Sequence, residues 1–266
     1  MSIKLSHEVP LCMLKESKSF NDYDYALVHL FEECPDYYQF YKDSVEEGRH
    51  VLLDNSLFEL GKAFEEERFS EWVKKLKPTE YIIPDSMNNA KETIDNLHSW
   101  MAKYNNLPGK KIGVVQGADF EEMVMCYKEL AKHVDKIAIS FGYKYFSQNN
   151  FNIEGNKWKI MCDNRQKFID TLIDYDIIDK SKPHHLLGNA LPIEFKHYSS
   201  KRYSFIETID TSNPIIHGIL NIRYKEDGLQ EKESIKMVEL FNAQITPEQK
   251  EVINYNINKF REINHI

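Results

Sequence analysis

Close pairs of cysteine are absent from the sequence. Cys12, Cys34, Cys126 and Cys162 lie far apart, which excludes the spacing of zinc and iron–sulfur ligands and the disulfide framework of a small secreted domain. All four read as reduced thiols. No apolar run approaches the roughly 20 residues that cross a bilayer, and Met1 to Pro10 carries His7 and Glu8 where a secretion signal needs an apolar stretch. A cytoplasmic protein without a membrane anchor is expected. Positive charge is not in excess either: the formal charge of -8 works against nonspecific polyanion binding by the molecule as a whole. His-x-His and paired Cys/His motifs are missing, so the sequence points to no metal and no cofactor. Solenoid repeats and low-complexity tracts are missing too.

What is present suffices for a core. In 266 residues, 42% are hydrophobic and 29% charged, a balance that excludes disorder and fits one large domain. Short runs rich in β-branched and aromatic residues alternate with longer amphipathic segments. Strands are expected at Val9 to Leu14, Tyr25 to Leu30, Val51 to Asp54, Tyr81 to Pro84, Ile112 to Gln116, Lys136 to Ser140, His184 to Leu187 and Phe205 to Ile209. Helical periodicity covers Phe64 to Leu76, Asn88 to Tyr104, Asp119 to His133 and Ile160 to Ile177. Eight such units predict an α/β fold, a (β/α)8 TIM barrel over 1–212, with a doubly wound open sheet as the alternative. Residues 213–266 read as a C-terminal helical extension packed on the barrel: a loop from Thr211 to Gly228, then helices near Glu231 to Phe241 and Pro247 to Ile263.

In a barrel, chemistry sits just past the C-terminal ends of the strands. Those places are polar here: Leu53-Asp54-Asn55-Ser56, Pro84-Asp85-Ser86, Val115-Gln116-Gly117 and Ile209-Asp210-Thr211, with Ser140-Phe141-Gly142 and Leu187-Gly188-Asn189 after strands six and seven. A single Asp after a strand is more often a turn or helix-cap residue. Three carboxylates and one carboxamide together favour a site, and crowded carboxylates raise one another's pKa. In the pair His184-His185, alternation along a strand lets at most one ring face the interior.

The order of Leu53-Asp54-Asn55-Ser56, Pro84-Asp85-Ser86, Gly113-Val114-Val115-Gln116-Gly117, His185-Leu186-Leu187-Gly188 and Asp210-Thr211-Ser212-Asn213-Pro214 resembles the queuine/archaeosine tRNA-guanine transglycosylase family, and within it the shorter, phage-type DNA 7-deazaguanine transglycosylases. The resemblance spans about Val51 to Pro214. It implies an enzyme that exchanges guanine for a 7-deazaguanine such as 7-cyano-7-deazaguanine. It places Asp210 as the nucleophile that forms a covalent aspartyl-glycosyl intermediate and Asp54 as the acid/base. Asp85 and Gln116 then read the base, with Asn55 and Gly188 beside them in the same motifs. Ser140, Phe141 and Gly142 give further contacts to the heterocycle, and Phe58 and Leu187 sandwich the ring.

Departures from the family pattern point to DNA as the polymer. The Cys-x-Cys-x-x-Cys…His zinc site of tRNA-acting members is absent, Ser56-Leu57 replaces a glycine pair, and a longer C-terminal RNA-binding domain is not seen. The segment from Lys180 to Arg202 is locally basic, and Lys182, His185, Lys196, Lys201 and Arg202 are the expected phosphate contacts. Alternatives are a reduced enzyme acting on tRNA, a non-catalytic barrel subunit that binds nucleic acid, and an unrelated barrel lyase or glycosidase using the same carboxylates. A homodimer or a protein partner stays open.

Overall fold

The computed structural model describes residues 3–141 and 156–266. Its strands are β1 (Lys4–Ser6), β2 (Asp24–Leu27), β3 (Val51–Asp54), β4 (Glu80–Ile82), β5 (Lys110–Val114), β6 (Lys136–Ser140), β7 (His184–Leu187) and β8 (Ile206–Asp210). The α-helices are α1 (Leu14–Ser17), α2 (Val28–Glu33), α3 (Pro35–Glu46), α4 (Leu57–Leu60), α5 (Glu66–Leu76), α6 (Ala90–Tyr104), α7 (Phe120–His133), α8 (Lys157–Asp174), α9 (Asn213–Ile219) and α10 (Pro247–Asn264). The strands are parallel and pair in the order β1-β8-β7-β6-β5-β4-β3-β2. Sequential pairing, with the first strand beside the last, is the topology of a (β/α)8 barrel and not of a doubly wound sheet.

The chain divides into two compact units. The mid-chain unit, Tyr23–Ile139 with Ser181–His184, carries β2 to β6. Registers such as Leu27 with Asp54, Leu53 with Tyr81, Ile82 with Ile112 and Val114 with Ala138 align the strand ends. Every residue of β2, β3 and β4 is buried, the acidic Asp24, Asp54 and Glu80 among them. The helices bury one stripe each. In α5 this is Phe69, Val73 and Leu76, spaced four and three apart as a single helix face requires. Caps come from residues outside the strand ends: Asn89 accepts from the Glu92 amide to start α6, and Asp119 from the Glu122 amide to start α7.

In the terminal unit, Ser6 registers with Asp210 across β1 and β8. Helices α9 and α10 meet at Gly218, where an added Cβ would lie 2.3 Å from Cγ1 of Ile253. The Asn256 side chain accepts from the Tyr224 amide at 2.8 Å and donates to the Ile222 carbonyl at 3.0 Å, tying down the segment that leads out of α9. Burial of Ile253, Ile257 and Phe260 on α10 contributes about 2 kcal/mol per side chain.

Several expectations are corrected. The first strand is Lys4–Ser6, whereas Leu11–Met13 and Leu14–Ser17 are helical turns; Pro10 lacks the amide that a strand interior uses, and its fixed φ suits a helix start. Beyond Leu27 the second run turns into α2. The expected loop after Thr211 begins with α9, because Pro214 sits in the first turn, where its missing amide costs nothing. No helix spans Glu231 to Phe241; only Met237–Leu240 forms a 3-10 turn.

Candidate active site

The polar residues past β3, β4 and β5 form one hydrogen-bonded cluster in the mid-chain unit. Asn55 Nδ2 donates to Oδ1 of Asp85 at 2.7 Å and to the Ile83 carbonyl at 2.9 Å. Gln116 Nε2 donates to Oδ2 of Asp85 at 2.6 Å, and its Oε1 accepts from the Asn88 amide. Asp85 thus holds one carboxamide on each oxygen. Asp54 accepts from the Tyr25 hydroxyl at 2.7 Å and from the Ser56 amide at 2.5 Å. The turn reading accounts for part of this: Asp54 and Asn55 each accept an amide two residues on, as Asx turns do. It does not account for Asp85 or Gln116, since Asn89 and Asp119 cap the helices that follow them.

Among the described residues, no cation pairs with these carboxylates. Burial raises the Asp54 carboxyl well above its ordinary value; Glu59 and Asp85 add to this, and the Tyr25 and Ser56 hydrogen bonds oppose it. Burial also pushes Asp85 up, to about 6, against the hydrogen bonds from Asn55 and Gln116. Asp54 is therefore biased toward the neutral acid and Asp85 remains largely ionised at pH 7. Beside them, His29 is buried with no hydrogen-bond partner on either ring nitrogen among the described residues, and burial lowers its pKa.

In the terminal unit, Asp210 ends β8 as a buried carboxylate. Its Oδ1 accepts from the Gly188 amide at 2.9 Å and lies 3.0 Å from Nε2 of His185. Both contacts fall on Oδ1, so the carboxylate is oriented while Oδ2 keeps no partner among the described residues. Nδ1 of His185 lies 3.0 Å from the Thr208 hydroxyl, which fixes the ring.

The turn that presents the Gly188 amide is itself braced. Arg165 and Glu194, both fully buried, pair at 2.6 Å, and the guanidinium donates to the carbonyls of Leu187 and Gly188 at 3.1 and 3.0 Å. Gly188 has φ +65°, and a Cβ there would lie 2.6 Å from the Phe141 ring. Lys232 donates to the Asn189 carbonyl at 2.9 Å, with its ammonium 4.7 Å from the Phe141 ring centroid. Burial lowers its pKa to about 8, opposed by the nearby charges of Glu8 and Asp210.

The structure joins Asn55, Asp85 and Gln116 directly, with Asp54 in the turn beside them, and it joins Asp210, His185 and Gly188. Ser140 donates its hydroxyl to the Phe141 carbonyl, Phe141 donates its amide to the Leu187 carbonyl, and Leu187 is half-buried. Gly142 lies outside the described residues. Phe58 is 49% exposed on α4. The basic segment is not one surface: His185 is buried against Asp210 and does not face phosphate, and half-buried Lys182 donates to the Val134 carbonyl. Arg202 pairs with Asp174, whereas Lys196 and Lys201 are exposed. His184 points the other way from His185, toward Tyr127 of α7, as strand alternation requires.

Tyr25, His29, Arg165, Glu194 and Lys232 escaped the sequence reading. Nothing in their local sequence marks them: Tyr25 and Asp54, and Arg165 and Glu194, are 29 residues apart, and Lys232 and Asn189 are 43. The class defined is a parallel (β/α)8 protein whose strand ends carry buried carboxylates. Compared with known proteins, the chain matches no protein-family model and no curated protein.

Proposed function

We propose that this protein exchanges guanine for a 7-deazaguanine base in DNA through a covalent glycosyl intermediate on Asp210. The observation that carries this reading is the unlike treatment of two strand-end carboxylates. Asp54 is biased toward the protonated form by burial, and Asp210 is held through Oδ1 alone, leaving Oδ2 uncommitted. A base exchange needs one group of each kind.

In the proposed reaction, Oδ2 of Asp210 attacks C1′ and the bond from C1′ to the guanine ring nitrogen breaks. The electron pair leaves with the base, and the Asp54 proton neutralises it. The incoming 7-deazaguanine gives its ring proton back to Asp54 and attacks C1′, which frees Asp210. Two displacements give net retention. Asp85 and Gln116 suit guanine recognition: the carboxylate accepts from N1–H and the exocyclic amine, and the amide donates to O6. The base takes over hydrogen bonds that these side chains now make with each other and with Asn55. Phe58 and Leu187 are the proposed faces of the slot, and Lys196 and Lys201 the proposed phosphate contacts. The target base must leave its stack for C1′ to be reached.

The test offers labelled guanine and labelled 7-cyano-7-deazaguanine with duplex DNA, single-stranded DNA and tRNA to the wild-type protein and to Asp210→Ala. Label is expected in DNA, falling by at least about 10³-fold in the variant, together with a denaturation-stable DNA adduct on the wild-type protein alone. Label in tRNA only would move the activity to that polymer. Label in no polymer overturns the reading.

A further inference from the structure

A second cluster of chemically active side chains lies within the mid-chain unit, on the helices α6 and α7. His98 comes from the middle of α6, while Glu129 and His133 stand one turn apart near the end of α7. Nε2 of His98 lies 3.1 Å, and Nε2 of His133 lies 3.2 Å, from the same oxygen, Oε1 of Glu129. The ligating atoms of all three lie within 4.8 Å of one another. The two imidazole rings meet edge to face with centroids 5.5 Å apart.

These separations suit a metal ion. Bonds of about 2.0–2.1 Å to nitrogen and oxygen in a tetrahedral arrangement place neighbouring ligand atoms about 3.3 Å apart, so small rotations of the two rings suffice. The second oxygen of Glu129 already accepts from Lys132 at 2.6 Å, the kind of outer hydrogen bond that steadies a ligating carboxylate. Side-chain exposures of 51%, 23% and 36% for His98, Glu129 and His133 let an ion enter from solvent.

We infer that His98, Glu129 and His133 form a divalent transition-metal site of the zinc type, with three protein ligands and a fourth position open to water. Two imidazoles and one carboxylate select Zn²⁺ and its neighbours over Mg²⁺ and Ca²⁺, which prefer all-oxygen shells. The ion clips α6 to α7. His133 is the last residue of α7 and β6 begins at Lys136, so the clip also pins the entry into β6.

The experiment uses the full, untagged chain stripped with a chelator. Zn²⁺ is titrated calorimetrically, Co²⁺ binding is followed by visible absorption, and Mg²⁺ is the comparison ion. One equivalent of Zn²⁺ or Co²⁺ per chain is expected, with a tetrahedral-type Co²⁺ spectrum and a Zn²⁺-dependent rise in Tm. His98→Ala and His133→Ala are each expected to weaken binding by at least about 10-fold and to remove the Tm shift, with far-UV circular dichroism unchanged. Glu129→Gln, which keeps both rings, weakens it as well, and His265→Ala leaves it intact. No binding by the wild-type chain, or undiminished binding by the double variant of His98 and His133, overturns the site.

Discussion

Two carboxylic acids flank β4, and the molecule treats them in opposite ways. Glu80 opens the strand, buried, with Lys136 at 2.7 Å and His50 at 2.9 Å from one oxygen. Asp85 follows the other end, equally buried, between the amides of Asn55 and Gln116. Burial pushes both carboxyls up, but at Glu80 the His50 hydrogen bond and the Lys136 charge outweigh it and bring the pKa down to about 2. At Asp85 neutral donors do not outweigh it, and the value stands near 6. A charged partner neutralises the acid and locks it, whereas neutral donors leave a net charge for a ligand to answer. The N-terminal end of the strand is built to hold, and in the proposed reaction the C-terminal end reacts, the division of labour expected of this fold.

The largest effect that tests this contrast is removal of the cation at the N-terminal end. Lys136→Met leaves the Glu80 charge buried with only His50, and a loss of about 3–5 kcal/mol is expected. Urea denaturation measures it through a fall in the midpoint at unchanged slope. Adding Glu80→Gln removes the stranded charge and is expected to recover most of the loss. Exchange activity per folded molecule should hardly change. A loss under about 1 kcal/mol would mean that the Glu80 pair does not carry the structural role given to it.

Legibility from sequence follows the same division. The strands β3, β6 and β7 were readable to the residue because each holds a short run of apolar residues bounded by polar ones or by a turn: Val51 to Leu53, Ile137 to Ile139, and Leu186-Leu187 before Gly188. The strand β1 was not, since three residues, Lys4 to Ser6, are too few to show a period, and the apolar run that drew attention, Val9 to Leu14, passes through Pro10 into a helical turn. Asp54, Asp85, Gln116 and Asp210 stood out as polar residues placed directly after such runs. Their supports did not: Arg165 braces the Gly188 turn from α8, and Lys232 reaches the Asn189 carbonyl from a loop. The His98, Glu129 and His133 group escaped for the same reason, its first two members being 31 positions apart. Local pattern reveals what a strand does to its own ends, and not what a distant helix brings there.

Titration sharpens the contrast at intermediate cost. Asp85 has a folded pKa near 6, above its unfolded value of about 3.9. The folded state then binds the extra proton, so this group's contribution favours folding at low pH and is lost as pH rises through about 4 to 6. Glu80 runs the other way, with its contribution present above about 4.5 and lost as pH falls toward 2. The stability of the wild type relative to Asp85→Asn should therefore rise by up to about 3 kcal/mol between pH 7 and pH 4. Relative to Glu80→Gln it should fall only at more acid pH. Exchange by the wild type should decline below about pH 6 as Asp85 takes up its proton. A pH-independent difference between wild type and Asp85→Asn would refute the raised pKa.

The smallest expected change in stability separates structure from chemistry at the reactive end itself. Gly188 has φ +65°, and its missing Cβ leaves room for the Phe141 ring 2.6 Å from where that atom would sit. Gly188→Ala costs about 1–3 kcal/mol for the left-handed backbone, with the Phe141 side chain turning aside. The same shift moves the amide that fixes Oδ1 of Asp210. Exchange, measured at a temperature where the variant is fully folded, should then fall by about 10-fold or more. Phe141→Leu relieves the crowding and does not restore the amide, so combining it with Gly188→Ala should regain stability without regaining rate. If rate returns together with stability, the Gly188 turn serves packing alone and Asp210 takes its orientation from His185.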